Sequence, residues 1–217
     1  PGPSDRHPGI HSPRLSHHLR VAIVYDRVFP ASYGGVERWF RYLAEALAAA
    51  GHSVTYLTAD HWPDHAAPRI PEVSVIPLAK SAGIYAGGRR SIRPVVTFGA
   101  AVGRYLVQHG ESLDVVHSTA MSPAAAHAVV TVARARGYVP VLDWWEVWGS
   151  AGWRSYLGPA GGDLVARLER RLARSCHVPL VYSHLHGSRL AALRCSADAL
   201  RLSGVLPRLS LPRHAYP

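Results

Sequence analysis

The fold is decided by residues 20–58, RVAIVYDRVFPASYGGVERWFRYLAEALAAAGHSVTYLT. An apolar run near the start, VAIV, is typical of a strand that is buried on both faces. After a loop rich in Pro, Ser and Gly, apolar residues recur every three or four positions over residues 36–50, which predicts a helix. Residues 53–58 predict a second strand. Gly34 and Gly35 stand at the helix start of this strand–helix–strand unit, where residues without Cβ leave backbone N–H groups open to a ligand.

The same alternation continues along the chain. Further strands are predicted at residues 73–78, 113–119, 138–143 and 178–182, with a short one within 196–206. Further helices are predicted at residues 94–110, 123–136, 163–175 and 184–194, and loops at 60–72, 80–93 and 144–162. Strands that alternate with helices at this spacing are typical of parallel α/β sheets with right-handed crossovers. We expect an α/β fold, a doubly wound, mostly parallel, Rossmann-like sheet of about six or seven strands with helices on both faces.

Composition indicates one globular domain. The 217 residues are 48% hydrophobic, and no apolar run approaches the ~20 residues that a membrane helix needs. We expect a disordered leader at residues 1–18, the Rossmann-like domain at 19–206, and a tail or linker at 207–217. Cys176 and Cys195 form no CxxC pair, which favours a reducing cytoplasm over a disulfide scaffold.

The chain is strongly basic, with 24 Lys and Arg against 14 Asp and Glu and a net charge of +10. All of the basic residues except Lys80 are arginines. Such an excess favours anionic partners, namely nucleic acid, phospholipid headgroups or sugar nucleotides. A genome whose nucleotide content favours Arg and Ala codons explains the excess equally well. No helix-turn-helix, RRM or OB-fold signature occurs, so nucleic acid is not an expected partner.

Three polar clusters fall where a doubly wound sheet places its ligand crevice, at the carboxyl ends of strands. They are Gly34–Gly35 after the first strand, His117–Thr119 at the tip of the fourth, and Asp143–Glu146 at the tip of the fifth. His117, Asp143 and Glu146 are the candidate catalytic residues, as a proton carrier or as acid and base.

Each feature also has a structural explanation. Paired glycines often serve a turn, and His117 can be satisfied by nearby backbone. Asp143 can cap the following turn, and Glu146 can pair with an arginine. The four indoles at positions 144, 145, 148 and 153 can stack on sugars, lie at a membrane interface, or form a hydrophobic lid on the sheet.

Several activities lack their motifs. The first loop is not GxGxxG, which disfavours a nicotinamide dinucleotide. His184 and His186 form an HxH pair without further ligands at suitable spacing, so no metal is expected. No GxSxG elbow supports a hydrolase.

The ordered set of motifs resembles the amino-terminal half of a GT-B glycosyltransferase of retaining family 4. The matching pieces are residues 20–58, DVVHS at 114–118, VPVLDWWEVWG at 139–149 and VYSHLHGSRLAAL at 181–193. The resemblance implies two Rossmann-like domains across a cleft. The amino-terminal one binds the acceptor and the other binds a nucleotide-sugar donor, which is a co-substrate, with no further cofactor.

The resemblance also implies roles for individual residues. Gly34 and Gly35 are expected to approach the donor phosphates. The residues expected at the acceptor site are Tyr33, Glu37, His117, Ser118, Trp144, Trp145 and Glu146.

The motifs of the family's second domain do not occur among these residues. We therefore expect a donor-binding second domain or chain as partner, a sugar, lipid-linked or small-molecule acceptor, and no activity of this half alone. Many relatives carry a histidine where Trp144–Trp145 stand. The alternative is a non-catalytic binding or membrane-associated module derived from such a half. The expected location is the cytoplasm, with peripheral binding to the anionic inner face of the membrane left open.

Overall fold

The computed structural model describes residues 18–63, 67–80, 85–86, 89–90, 92–195 and 197–202. The expected leader, apart from His18, and the expected tail lie outside these ranges. So do parts of the predicted loops at 60–72 and 80–93.

Within the described residues, seven parallel strands form one open sheet. In spatial order they are β3 (Val73–Lys80), β2 (Ser53–Asp60), β1 (Arg20–Val24), β6 (Val115–Thr119), β7 (Val139–Trp144), β8 (Val178–Val181) and β9 (Leu200–Arg201). The chain runs outward from β1 to β3, returns to β6 beside β1, and then runs outward to β9. The direction of winding reverses between β1 and β6, which makes this the topological switch point. The predicted doubly wound sheet is confirmed.

Five helices are present in the described residues. They are α1 (Gly35–Ala49), α2 (Ile92–His109), α3 (Pro123–Arg136), α4 (Gly149–Ser175) and α5 (His184–Ala192). A separate antiparallel pair, β4 (Tyr85–Ala86) with β5 (Arg89–Arg90), lies in the predicted loop before α2. None of the helices in the described part of the chain has the length and apolar character needed to cross a bilayer.

Side chains of β1 alternate between two cores. Ile23 packs with Phe40 and Ala44 of α1, whereas Val24 packs with Phe98 of α2 and with α3. Successive side chains of a strand point to opposite faces, so α1 covers one face of the sheet and α2 and α3 cover the other. The predicted arrangement of helices on both faces is therefore confirmed.

The predicted loop at residues 144–162 is wrong over most of its length, because α4 begins at Gly149. Gly158 has φ 77° and interrupts the helix, and Pro159 starts its second segment. The two segments fold against each other: Gly162 packs on the backbone of Arg154, and the Arg154 guanidinium pairs with Asp163 at 2.6 Å. This Gly-rich sequence is helical because of that packing and not because of its intrinsic propensity.

Small residues bring α2 and α3 into close contact. A Cβ added at Gly99 would lie 2.5 Å from the Ala124 Cβ and 2.7 Å from its backbone carbonyl carbon. A Cβ added at Gly103 would lie 3.6 Å from the Ala128 Cβ, which is ordinary contact.

We expect Gly99→Ala to lower the free energy of unfolding by about 1–3 kcal/mol, since backbone must move to relieve the overlap. Gly103→Ala is the matched control, and we expect it to be neutral or to stabilise by up to about 1 kcal/mol through helix propensity. Urea unfolding followed by circular dichroism checks both. Equal stabilisation by the two substitutions would contradict the close packing of α2 and α3.

Candidate functional site

The candidate site lies at the carboxyl edge of the sheet, beside the switch point. The ends of β1, β6 and β7 meet there, and the loop that follows β1 leads to the amino terminus of α1. In doubly wound sheets this is the position where ligands bind. Two of the three predicted polar clusters, at the tips of β6 and β7, are in direct contact.

A buried carboxylate is at the centre of this edge. Asp143 is fully buried, and its Oδ1 lies 2.9 Å from the Nε2 of His117. The indole Nε1 of Trp39 donates to its Oδ2 at 3.0 Å. Each carboxylate oxygen therefore faces one ring nitrogen, the imidazole Nε2 of β6 on one side and the indole Nε1 of α1 on the other. A buried carboxylate needs such donors, because leaving it unpaired costs several kcal/mol.

The backbone around Asp143 is also fixed. Its carbonyl oxygen accepts a hydrogen bond from the Ala120 N–H at 3.0 Å and one from the Thr119 hydroxyl at 3.1 Å. Thr119 is itself buried at the tip of β6. These bonds set the position of the β7 tip relative to the β6 tip, so the carboxylate is held in place from both ends.

His117 keeps a small exposed fraction, 7%, and its ring packs edge-to-face on Phe40 with centroids 5.6 Å apart. Asp143 has no exposed surface. Asp143 therefore cannot touch a substrate in this structure, and its contact within the site is to His117. His117 is the member of the pair that a ligand can reach.

Three aromatic rings enclose the pair. Trp145 stacks on Tyr182 with centroids 3.9 Å apart and planes 5° apart. Trp39 packs edge-to-face on both, at 5.9 and 5.5 Å. Burial raises the pKa of Tyr182, and the neighbouring Asp143 carboxylate raises it further, so that the phenol stays protonated. The three rings Trp39, Trp145 and Tyr182 are called the aromatic wall below.

The start of α1 holds a carboxylate of its own. Glu37 is buried, accepts a hydrogen bond from the Ser32 hydroxyl at 3.2 Å, and occupies the space where a side chain at Gly34 would lie. Negative charge is favoured at a helix amino terminus. A Cβ at Gly35 would meet nothing within 4 Å. The open approach to the helix start is therefore at Gly35, and Gly34 makes room for Glu37.

Strand alternation corrects two of the predicted acceptor residues. Ser118 is fully buried and donates to the Val24 carbonyl oxygen at 3.1 Å. Trp144 is fully buried in the core cluster that contains Leu142 and Leu172. Each follows directly after a residue of the His117–Asp143 pair, so each points to the opposite face of the sheet. Neither can contact an acceptor in this structure.

The remaining predicted site residues differ in accessibility. Tyr33 is 60% exposed, with its ring edge-to-face on Phe29. Glu146 is exposed, and its Oε2 accepts a hydrogen bond from the Trp148 indole at 2.6 Å. Glu146 is thus engaged with a surface indole, whereas the Asp143 carboxylate is buried with His117.

Two residues of the site, Trp39 and Tyr182, were not predicted. Trp39 was assigned only to the apolar side of α1, and its contact with Asp143 spans 104 positions of sequence. Among the described residues, no group of three or more His, Cys, Asp or Glu side chains could hold a metal ion. The expectation that no metal takes part stays a prediction.

The comparison with protein families gives one match. The model of a glycosyl transferase 4-like domain matches residues 34–203. The chain belongs to this family. A comparison with curated protein sequences finds no match. The family match extends from the start of α1 past β9 and includes His117, Asp143 and the aromatic wall.

Solved structures share the fold of this glycosyl transferase 4-like chain. Sucrose-phosphate synthase from Thermosynechococcus elongatus aligns with a TM-score of 0.64 at 16% identity, covering 85% of this chain and 47% of that one. HepE from Anabaena, in complex with UDP and glucose, aligns at 0.53 and 9% identity, covering 85% and 44%. Os79 from O. sativa, in complex with UDP, aligns at 0.51 and 16% identity, covering 83% and 50%.

The chain thus spans about half the length of these structures or slightly less. The likenesses establish the fold. Together with the family match they confirm the predicted resemblance to the amino-terminal Rossmann-like domain of a GT-B glycosyltransferase.

We expect Asp143→Ala to lower the free energy of unfolding by about 2–5 kcal/mol, because it leaves the Trp39 N–H and the buried Nε2 of His117 without their partner. Glu146→Ala is the control, since it removes an exposed carboxylate, and its effect should stay within about 0.5 kcal/mol. Denaturant titration measures both variants. Similar losses at the two positions would show that the Asp143 network contributes little.

Proposed function

We propose that this chain is the acceptor-binding half of a retaining glycosyltransferase, which moves a sugar from a nucleotide-sugar donor to a hydroxyl acceptor. The observation that carries the proposal is the His117–Asp143 pair, held by Trp39 at the switch-point edge of a glycosyl transferase 4-like domain. A donor-binding domain or chain, opposite this edge, completes the site.

His117 is the group proposed to contact the acceptor. In the transfer, the bond between the sugar and the departing nucleoside diphosphate breaks, a bond to the acceptor oxygen forms, and the acceptor hydroxyl loses its proton. An imidazole can accept a hydrogen bond from that hydroxyl and carry the proton. Asp143 stabilises the positive charge that the imidazole would gain.

Gly35 is proposed to contact the diphosphate. Backbone N–H groups at the start of α1 favour negative charge, and the space above Gly35 is open. The Glu37 carboxylate lies beside this point, so part of the charge compensation has to come from the partner domain. HepE and Os79 are in complex with UDP, which makes UDP-sugars the first donors to test.

We expect His117→Ala to lower sugar transfer by about 10²-fold or more, as for other groups that assist proton transfer. The assay combines the chain with the donor-binding half of a family member, UDP-glucose, and a panel of hydroxylated acceptors. His177→Ala changes an exposed histidine outside the site and should leave transfer unchanged.

The donor half must first be shown active with its own amino-terminal half. If this chain then forms a complex but supports no transfer and binds none of the acceptors, the proposed function is wrong.

A second candidate function is a module that binds an anionic membrane surface. On the second segment of α4, Leu164 and Leu168 are exposed on the same face as Arg167, Arg171 and Arg174. The two acidic residues of α4 are engaged elsewhere, Asp163 with Arg154 and Glu169 with the backbone N–H groups of Trp148 and Gly149. A basic face with exposed leucines fits anionic headgroups over acyl chains.

We expect replacement of Arg167, Arg171 and Arg174 by Gln to weaken binding to vesicles containing anionic lipid by about 10²-fold, at roughly 1 kcal/mol per arginine. The control replaces Arg69, Arg93 and Arg104, which are exposed outside α4. Sedimentation with anionic and with neutral vesicles, at low and high salt, measures the effect. Absence of binding, or equal loss in both triple variants, would remove this candidate.

A further inference from the structure

We infer that Trp39 and Asp143 together fix His117 in the tautomer that carries its proton on Nε2, so that Nδ1 is the atom offered to a ligand. Trp39 is thus a positioning residue that acts on His117 through Asp143. The identification of the ligand as an acceptor hydroxyl rests on the proposed function. The tautomer itself follows from the contacts within this chain.

The first step concerns the indole. Trp39 Nε1 carries a hydrogen and has no lone pair, so it can only donate. Its partner, Asp143 Oδ2 at 3.0 Å, must therefore accept. This contact leaves Oδ1 as the oxygen that faces His117.

The second step concerns the imidazole. An ionised carboxylate has acceptors alone, so at 2.9 Å the His117 Nε2 must be the donor. In the neutral ring only one nitrogen carries a hydrogen, and Nδ1 then keeps its lone pair. A hydroxyl can donate to that atom. In Ser-His-Asp triads a carboxylate also orients an imidazole, with the nitrogens exchanged: there the carboxylate accepts from Nδ1–H and Nε2 is the free atom.

The third step concerns the aromatic wall, which holds the indole in its orientation. Trp39 packs edge-to-face on both Trp145 and Tyr182, and those two rings stack on each other. Such pairs contribute beyond their buried area and restrict ring rotation. The wall therefore directs the Trp39 N–H to Asp143. Trp145 thus has a positioning role in this inference, and its predicted acceptor contact stays a prediction.

The decisive variant is Asp143→Asn, because an amide has one accepting and one donating end. The Trp39 N–H requires the amide oxygen, which turns the amide NH2 toward His117. Nε2 must then accept, and the proton moves to Nδ1. The variant should therefore invert the tautomer. The double variant Asp143→Asn with Trp39→Phe frees the amide to turn, and both tautomers should appear.

The measurement is the long-range proton–nitrogen correlation of the His117 ring at alkaline pH, in the full chain labelled with 15N. The native chain should show the Nε2–H pattern, Asp143→Asn the Nδ1–H pattern, and the double variant a mixture. Trp148→Phe is the matched control: it also removes an indole N–H bonded to a carboxylate, that of Glu146, and should leave His117 unchanged.

Trp39→Phe alone provides a second readout in case Asp143→Asn does not fold. Loss of the indole donor lets the carboxylate turn, so the His117 Nε2–H should exchange with solvent about ten- to a hundredfold faster, the equivalent of one hydrogen bond to a charged group. Trp148→Phe should leave that exchange rate unchanged.

A native His117 protonated on Nδ1 would overturn the inference. So would a folded Asp143→Asn chain that keeps Nε2–H, or an unchanged exchange rate in Trp39→Phe. None of these outcomes depends on sugar transfer. If the tautomer pattern holds while the transfer assay fails, the proposed function is wrong and the positioning network stands.

Discussion

The buried carboxylate of Asp143 is the constraint on which this edge of the molecule depends. A carboxylate without contact to water is costly unless donors surround it, and here the donors come from β6 and from α1. The hydrogen bond from Trp39 to Asp143 therefore also fixes the position of α1 over the sheet. The start of α1 then stands next to the tips of β6 and β7. One carboxylate thus links the layer packing of the domain to the geometry of its crevice.

At the start of α1, the carboxylate of Glu37 lies next to the place proposed for the diphosphate. The Glu37 carboxylate fills the space above Gly34, so the absence of a side chain at Gly34 makes room for this carboxylate. At the second glycine, Gly35, an added Cβ would meet nothing within 4 Å, so the space above this residue is open. A diphosphate at Gly35 would lie near Glu37, and repulsion between them has to be offset by cations. A phosphate-binding site complete within this half is therefore disfavoured, which agrees with a division of the donor contacts between two domains.

Most of the fold could be predicted, because buried parallel strands and amphipathic helices leave clear apolar patterns. The site could be predicted only in part. His117 and Asp143 follow from their places at strand tips, but β6 and β7 are buried on both faces, so the sequence does not show which face carries the site. Ser118 and Trp144 lie on the opposite face from His117 and Asp143. Trp39 could not be found, since its apolar spacing on α1 conceals a polar contact. The helix at Gly149 depends on tertiary packing that composition does not reveal.

The small exposure of His117 bears on the proposed transfer reaction. An acceptor hydroxyl bound at the open edge would exchange one hydrogen bond to water for one to the imidazole, and that exchange contributes little. If the proposed second domain excludes water, the same bond and the Asp143 charge behind it act in a lower dielectric and become stronger. The contacts of Asp143 with His117 and Trp39 already exist in this structure, so the proposed closure would require little reorganisation of the imidazole. Under the proposed function, preorganisation on this side and closure from the other would therefore be complementary requirements of one site.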